Sequence, residues 1–110
     1  MMDYKNKHGD SYGLLTEVCE YQIGGLAIYL YDNEGEPFTL LTVNLGGDPG
    51  KDMAYVDTNN FPDALNLISA YNLGEVVGCG HSGFCTYPLV KFNLDEVKKH
   101  DADTYFQKVV

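Results

Sequence analysis

Residues 26–45, LAIYLYDNEGEPFTLLTVNL, decide the fold. From residue 26 to residue 32 the side chains alternate between two faces, which is the period of two of a β-strand with both faces partly covered. The next residues, DNEGEP, have the composition of a turn, and residues 38–45 alternate again. The stretch therefore predicts a β-hairpin of two strands joined by an exposed acidic tip, in which no lysine occurs.

The residues before this hairpin divide into two parts. Residues 1–11 are polar and unpatterned, so we expect a flexible N-terminus there and a single domain over residues 12–110. Residues 12–21 are strand-like with a mixed period. The following residues, Ile23, Gly24 and Gly25, predict a turn that leads into the hairpin.

The residues after the hairpin contain one clear helical pattern. Apolar residues recur there at spacings of three and four, the period of an amphipathic helix: Phe61, Ala64, Leu65, Ile68 and Tyr71. Asn60 or Phe61 is the expected N-cap, and Leu73–Gly74 is the expected left-handed C-terminal cap. We expect this helix to lay one face on the sheet.

Shorter elements complete the chain. Residues 46–52 are an expected loop, and residues 54–57, 75–80 and 84–92 are expected strands, the last with Pro88 at an edge or a bulge. Asn93 caps a short helix over residues 94–100, and residues 104–110 form a final strand or a docked segment. The expected architecture is α+β, a mainly antiparallel β-sheet with one or two helices packed on one face.

Charge is the most informative property of the composition. Sixteen Asp and Glu residues stand against seven lysines and no arginine, a net charge of −9. Because a direct nucleic-acid binder needs basic side chains to neutralise phosphates, the sequence argues against that role. It also argues against binding to an anionic membrane, and no stretch reaches the roughly 20 apolar residues of a membrane span. Such a surface is attracted instead to a basic protein partner.

Four residues in the stretch GCGHSGFCTYPLVKF, residues 78–92, carry reactive groups: Cys79, His81, Ser82 and Cys85. A structural zinc site needs four ligands, so these residues would require a distant fourth ligand such as Cys19 or His100. A Cys–His nucleophilic pair would need an orienting acid, which the sequence does not identify. We therefore expect a glycine-rich turn entering a strand, with reduced thiols, no catalytic residue, no metal and no cofactor.

Acidic and aromatic residues together suggest a surface for a partner. Tyr29 and Tyr31 share one face of the first hairpin strand, and tyrosine is favoured in interfaces because it adds apolar area with a polar tip. Packing on the sheet is the alternative role of these tyrosines. Stacked tyrosines would imitate bases and carboxylates would imitate phosphates in a basic groove. The predicted partner-binding residues are Asp32, Glu34, Glu36, Asp48, Asp52, Tyr29 and Tyr31.

Three segments carry a resemblance: EGEPFTLLTVNL (34–45), YVDTNN (55–60) and SGFCTYPLVKFN (82–93). Together they resemble an uncharacterised family, a domain of unknown function found on conjugative elements, plasmids and phages of low-GC Gram-positive bacteria. Some small acidic proteins from that setting are anti-CRISPR proteins that inhibit type II-A Cas9. The resemblance implies a mobile-element protein in the cytoplasm of a bacterial host, and it carries over no catalytic residue.

The sequence and the resemblance together leave three functional hypotheses. The first is a non-enzymatic inhibitor of a bacterial defence nuclease, with Cas9 as its partner, which acts as a nucleic-acid mimic and blocks guide RNA or DNA binding. The second is an enzyme or small metal-binding protein that uses Cys79, His81 and Cys85. The third is an acidic interaction module of a plasmid or conjugative element, with a homodimer through an open sheet edge as one arrangement.

Overall fold

The computed structural model describes residues 1–20, 25–46 and 49–109 of the chain. Within these residues the protein contains eight strands and three helices in an α+β arrangement, which confirms the predicted fold class. The elements, in chain order, are β1 Met2–Lys5, β2 Ser11–Glu20, β3 Leu26–Asp32, β4 Pro37–Leu40, β5 Thr42–Val43, β6 Met53–Val56, α1 Ala64–Ala70, β7 Gly74–Ser82, β8 Cys85–Phe92, α2 Leu94–Lys98 and α3 Ala102–Val109.

The strands form two antiparallel sheets. Sheet A has the order β1-β2-β3-β4, and sheet B has the order β5-β6-β8-β7. The predicted strand over residues 26–32 is β3, and it pairs with β2 on one side and β4 on the other. The turn expected at residues 23–25 falls largely outside the described residues.

The second strand of the predicted hairpin differs from the expectation. Residues 38–45 were predicted as one strand, but the chain divides at Leu41 into β4 of sheet A and β5 of sheet B. Leu41 is fully buried; its N–H donates to the carbonyl of Ile28 at 2.8 Å, and its carbonyl accepts from the N–H of Asp57 at 2.9 Å. Leu41 thus joins the two sheets. The alternation of side chains continues through it, but the strand before it pairs with β3 and the strand after it pairs with β6.

The core lies between the sheets and α1. The strand positions predicted to share a face, Leu26, Ile28 and Leu30, are all buried in it. Other core residues come from both sheets and α1: Leu14, Val56, Val90, Phe92, Phe61, Ala64, Leu67 and Ile68. The N-terminal segment that was expected to be flexible contributes β1, and Met2 is fully buried in the core.

The ends of α1 differ from the prediction. The helix begins after Asp63, which occupies the N-cap position, rather than after Asn60 or Phe61. The carboxylate of Asp57 holds the preceding turn, because it accepts from the backbone N–H of Asn60 at 3.2 Å and from its side-chain amide at 2.8 Å. After the helix, Asn72 takes the left-handed conformation (φ 55°) that was expected at residues 73–74. Asparagine tolerates this conformation better than most residues, so Gly74 is free to begin β7.

The C-terminal region contains two helices. Asn93 precedes α2 as predicted, although α2 ends at Lys98. The tail, expected as a strand or docked segment, forms α3, and the carboxylate of Asp101 accepts from the N–H of Thr104 at 3.1 Å. This contact is that of an N-cap, which explains why the helix begins where it does. No helix in the described residues is long and apolar enough to cross a membrane.

Pro88 lies in β8, a strand between two others, where proline is unusual. The pairing of β8 with β6 covers only residues 89–91, whereas its pairing with β7 covers the whole strand. At Pro88 the strand therefore has a partner on one side only, which agrees with the predicted edge position.

Candidate partner-binding surface

The acidic tip between β3 and β4, residues 32–36, is a tight turn built around Asp32. Oδ1 of Asp32 accepts hydrogen bonds from the backbone N–H groups of Glu34 and Glu36, both at 2.9 Å. In the backbone, the N–H of Gly35 donates a hydrogen bond to the carbonyl of Asp32 at 3.1 Å, and Gly35 has a φ of 89°. The carboxylate of Asp32 therefore orders the turn, and the two glutamates are the exposed acidic groups.

Helix α3 lies next to this turn. The ring of Phe106 lies close enough to Gly35 that a methyl group there would touch it at 3.6 Å. Glu34 and Glu36 are both exposed, and no lysine occurs between residues 26 and 40. The tip thus presents two carboxylates from a turn with defined hydrogen bonds, which lowers the conformational entropy lost on binding.

The predicted tyrosines lie beside a third acidic residue. Tyr29 is 37% exposed and Tyr31 is half-buried on the face of sheet A opposite the core. Glu17 of β2 lies directly across from Tyr29, and its Oε1 accepts from Tyr31 Oη at 3.4 Å. Burial raises the pKa of Tyr31, and the neighbouring Glu17 carboxylate raises this pKa further.

Glu17 was missed by sequence reasoning. It also accepts from the Cys19 thiol at 3.7 Å, and burial followed by the Glu17 charge raises the pKa of Cys19. The sequence pattern that could have identified Glu17 is the alternation of β2, which places residues 15, 17 and 19 on one face. The mixed period of this segment concealed it, because Leu15 is buried on the same face, where α3 contacts β2.

Of the other two predicted acidic residues, the structure describes Asp52, which lies apart from the tip. Asp52 lies in the turn before β6 of sheet B, half-buried with φ 60°, and its carbonyl accepts from Phe92 N–H at 2.7 Å. Asp48 lies outside the described residues. Glu34, Glu36, Glu17, Tyr29 and Tyr31, which we call the acidic–tyrosine surface, are therefore carried by sheet A, whereas Asp52 is carried by sheet B.

A shallow groove of about 450 Å³ lies at the β1–β2 end of sheet A. Tyr4 and Tyr12 line it together with Asn33 from the acidic tip. Tyr4 Oη donates to Asp63 Oδ2 at 2.7 Å, and burial together with this hydrogen bond raises the pKa of Tyr4 to about 12. Edge-on contacts with Phe38 and Phe61 hold the Tyr4 ring, so these residues have a packing role.

The reactive residues of the β7–β8 hairpin are not assembled into one site. Cys79 lies opposite Pro88, and His81 lies opposite Thr86, whereas Cys85 belongs to the alternate residues of β8 and therefore to the other face. The Nδ1 atom of His81 is 2.9 Å from Thr86 Oγ1. The described part of the chain holds no group of three His, Cys, Asp or Glu side chains arranged to bind a metal ion. Cys79 and His81 alone supply two ligands.

In a comparison with protein families, residues 15–109 match the family described as "Domain of unknown function (DUF4313)". The match includes the acidic–tyrosine surface and the β7–β8 hairpin. Searches of curated proteins and of solved structures gave no match to this chain.

Proposed function

The chain belongs to the DUF4313 family, whose function is unknown, and we propose that this member is a non-enzymatic inhibitor that binds a basic protein surface. The bound protein in this proposal is a bacterial defence nuclease, with Cas9 as the candidate. The observation that carries the proposal is the acidic tip, in which Glu34 and Glu36 project from a hydrogen-bonded turn with no lysine in the same hairpin.

Electrostatics supports a basic partner. The whole chain carries a net charge of −9, so its long-range field attracts a positively charged surface and repels nucleic acid. The two exposed carboxylates of the tip then provide short-range contacts to lysine and arginine side chains. An exposed pair of this kind contributes mainly to the rate of association and to specificity, so binding should weaken as salt is added.

The tyrosines supply the apolar part of the same surface. Tyr29 and Tyr31 stand next to one another on one face of β3, and the carboxylate of Glu17 on β2 accepts a hydrogen bond from Tyr31. This arrangement of flat rings with a nearby negative charge has the chemical features of a nucleic-acid strand, in which bases alternate with phosphates. A protein groove that holds nucleic acid offers both stacking surfaces and cations to such a ligand.

Cas9 is the candidate because it holds guide RNA and the heteroduplex in positively charged channels. The first test is a Cas9 cleavage assay in which the protein is added before or after guide loading. Inhibition only when the protein is added first indicates competition with guide RNA, and inhibition in both orders indicates a block of DNA binding or cleavage. Full cleavage in both orders rejects Cas9 as the partner.

Charge reversal then tests the surface. The Glu34→Lys/Glu36→Lys double variant changes the net charge from −9 to −5, since each substitution adds two charges. The Glu75→Lys/Asp95→Lys variant makes the same change at exposed positions on β7 and α2. We expect inhibition to fall at least tenfold in the first variant and to be largely retained in the second. Equal inhibition by both variants would show that the tip is not the contact.

A further inference from the structure

β7 has a larger share of exposed residues than the other strands whose burial is described. β7 is the last strand of sheet B, and within the described residues no strand pairs with its outer side. Seven of its nine residues are exposed, including Val76 at 55% and Val77 at 46%. Phe84, in the turn that follows, is fully exposed. An open edge with apolar side chains and no lysine on it is a template for pairing with another strand.

Charge limits what this edge can bind. The β7–β8 hairpin, residues 74–92, contains one acidic residue, Glu75, and one basic residue, Lys91, directly opposite each other. The other fifteen carboxylates of the chain lie elsewhere. The hairpin is therefore a neutral region of a strongly acidic protein, so a basic partner gains little there, and a second acidic chain meets no repulsion from it.

Apolar groups are exposed at both ends of this edge. A groove of about 280 Å³ lies between α1 and β7, lined by Leu65, Ile68 and Val76 together with the polar residues Ser69, Asn72 and Glu75. Phe84 is an exposed aromatic side chain at the end of the same hairpin. In an antiparallel pair of two β7 strands centred on Gly80, residue 82 of one chain lies opposite residue 78 of the other. The turn that carries Phe84 then follows beside the exposed side chains of Val76 and Val77 of the second copy.

The β-bulge in β7 selects the same register. The pairing with β8 shifts between Val76 and Gly78, so the regular part of the edge is residues 78–82. Gly80 is the centre of that segment. Pairing about Gly80 places Cys79 of one chain opposite His81 of the other, and both residues lie on one face, so their side chains are neighbours across the pair.

We propose that the chain forms a twofold homodimer by antiparallel pairing of β7 with β7 of a second copy, centred on Gly80, with Phe84 beside Val76 and Val77 of that copy. The two sheets B become one continuous sheet of eight strands. The dimer carries two acidic tips, and its formation does not depend on what those tips bind.

The first test is the mass of the full chain by sedimentation or light scattering over a range of concentrations. We expect a species of twice the 12.2 kDa chain mass that dissociates on dilution. Phe84→Ser and Val77→Lys should each raise the dissociation constant at least tenfold, and both positions are exposed enough for the domain to remain folded. Tyr29→Ser, which removes a partly exposed ring from sheet A, is the control and should leave the mass unchanged.

A crosslinking experiment tests the register. In a chain with Cys19→Ser and Cys85→Ser, the H81C substitution introduces a thiol opposite Cys79 of the partner, so mild oxidation should give a covalent dimer. The E75C substitution in the same background places a thiol on the same strand out of register and should give much less. A monomer at every concentration, a dimer unaffected by Phe84→Ser and Val77→Lys, or equal crosslinking by both variants would overturn the proposal.

Discussion

The β3–β4 hairpin of sheet A and the β7–β8 hairpin of sheet B present opposite surfaces. Each turn contains a glycine with positive φ, Gly35 at 89° and Gly83 at 61°. The β3–β4 turn carries exposed carboxylates without a neutralising lysine, whereas the β7–β8 hairpin pairs its one acid, Glu75, with its one base, Lys91. The two hairpins therefore differ in charge and apolar exposure. They also differ in turn length, since the Asp32 carboxylate closes a turn that extends to Glu36, whereas Ser82 pairs directly with Cys85.

This difference suggests a division of roles between the sheets. A charged tip favours fast and salt-sensitive association with an oppositely charged partner. A neutral apolar edge favours backbone pairing, which depends on register and shape. The two proposals therefore rest on separate surfaces, and substitutions in one hairpin should leave the other interaction intact.

The largest expected effect comes from uncoupling the sheets that carry the two hairpins. Leu41→Ala removes a fully buried side chain where the chain passes from β4 to β5. We expect a loss of about 2–5 kcal/mol in the free energy of unfolding, the usual range for such a cavity. Urea denaturation measures it, with Leu40→Ala, at a half-buried neighbour, as the control for a smaller loss. Equal losses would show that the junction has no special role.

The next effect concerns the β3–β4 turn alone. Asp32→Ala leaves two backbone N–H groups without their carboxylate acceptor, and we expect the protein to lose about 1–3 kcal/mol in its free energy of unfolding. Asp32→Asn retains an oxygen acceptor and should recover most of this loss. If Asn and Ala are equally destabilising, the negative charge of Asp32 stabilises the turn and its hydrogen bonds do not.

A smaller effect compares the two turns directly. Gly35→Ala and Gly83→Ala each place a side chain in a left-handed conformation, so thermal unfolding should show a similar loss of about 1–2 kcal/mol for each. The new methyl group of Gly35→Ala would contact Phe106 at 3.6 Å, so this substitution should lose slightly less unfolding free energy than Gly83→Ala. A much larger loss at either turn would show that the positive φ of its glycine does not by itself set the cost of the substitution.

The smallest effect is a pH dependence on the sheet A side of the molecule. Burial lowers the pKa of His100 below its ordinary value of 6.5, the positive N-terminus and Lys99 lower it further, and Glu96 opposes them. Its Nδ1 is buried without a hydrogen-bond partner among the described residues, and its ring packs edge-on against Tyr71. The neutral form is therefore favoured in the folded state.

Proton binding at His100 determines whether the protein becomes more or less stable as the pH falls. As pH falls below about 6.5, the unfolded chain binds a proton at His100 more readily than the folded chain, so stability falls. His100→Phe, which keeps a ring against Tyr71, should flatten the curve of unfolding free energy between about pH 7.5 and 5.5. An unchanged slope in this variant would assign the pH dependence to other groups.

Much of the fold followed from local pattern, and the exceptions have physical reasons. The alternation of residues 26–32 and the spacing of three and four after Phe61 predicted β3 and α1, because both depend on the period of one face. The division at Leu41 was missed because a buried strand residue looks the same in either sheet. The helical tail was missed although Asp101 and Thr104 have the spacing of an N-cap.

The candidate surface was predicted in part for a similar reason. Glu34, Glu36 and Tyr29 were identified from composition and alternation, and the structure places them all on sheet A. Glu17 belongs beside the tyrosines only through the pairing of β2 with β3. Asp52 was predicted in a loop and included among the partner-binding residues by its charge, and it lies directly before β6 of sheet B.

By itself, the sequence determined the net charge, the acidic tip, the strand and helix periods and the glycines of the turns, because these depend on residue type and near neighbours. Only the tertiary structure decided which strands pair, that Cys85 faces away from Cys79 and His81, and that β7 is left at an open edge. Pairing and register join residues far apart in the chain, and their free energy depends on burial that no local pattern contains.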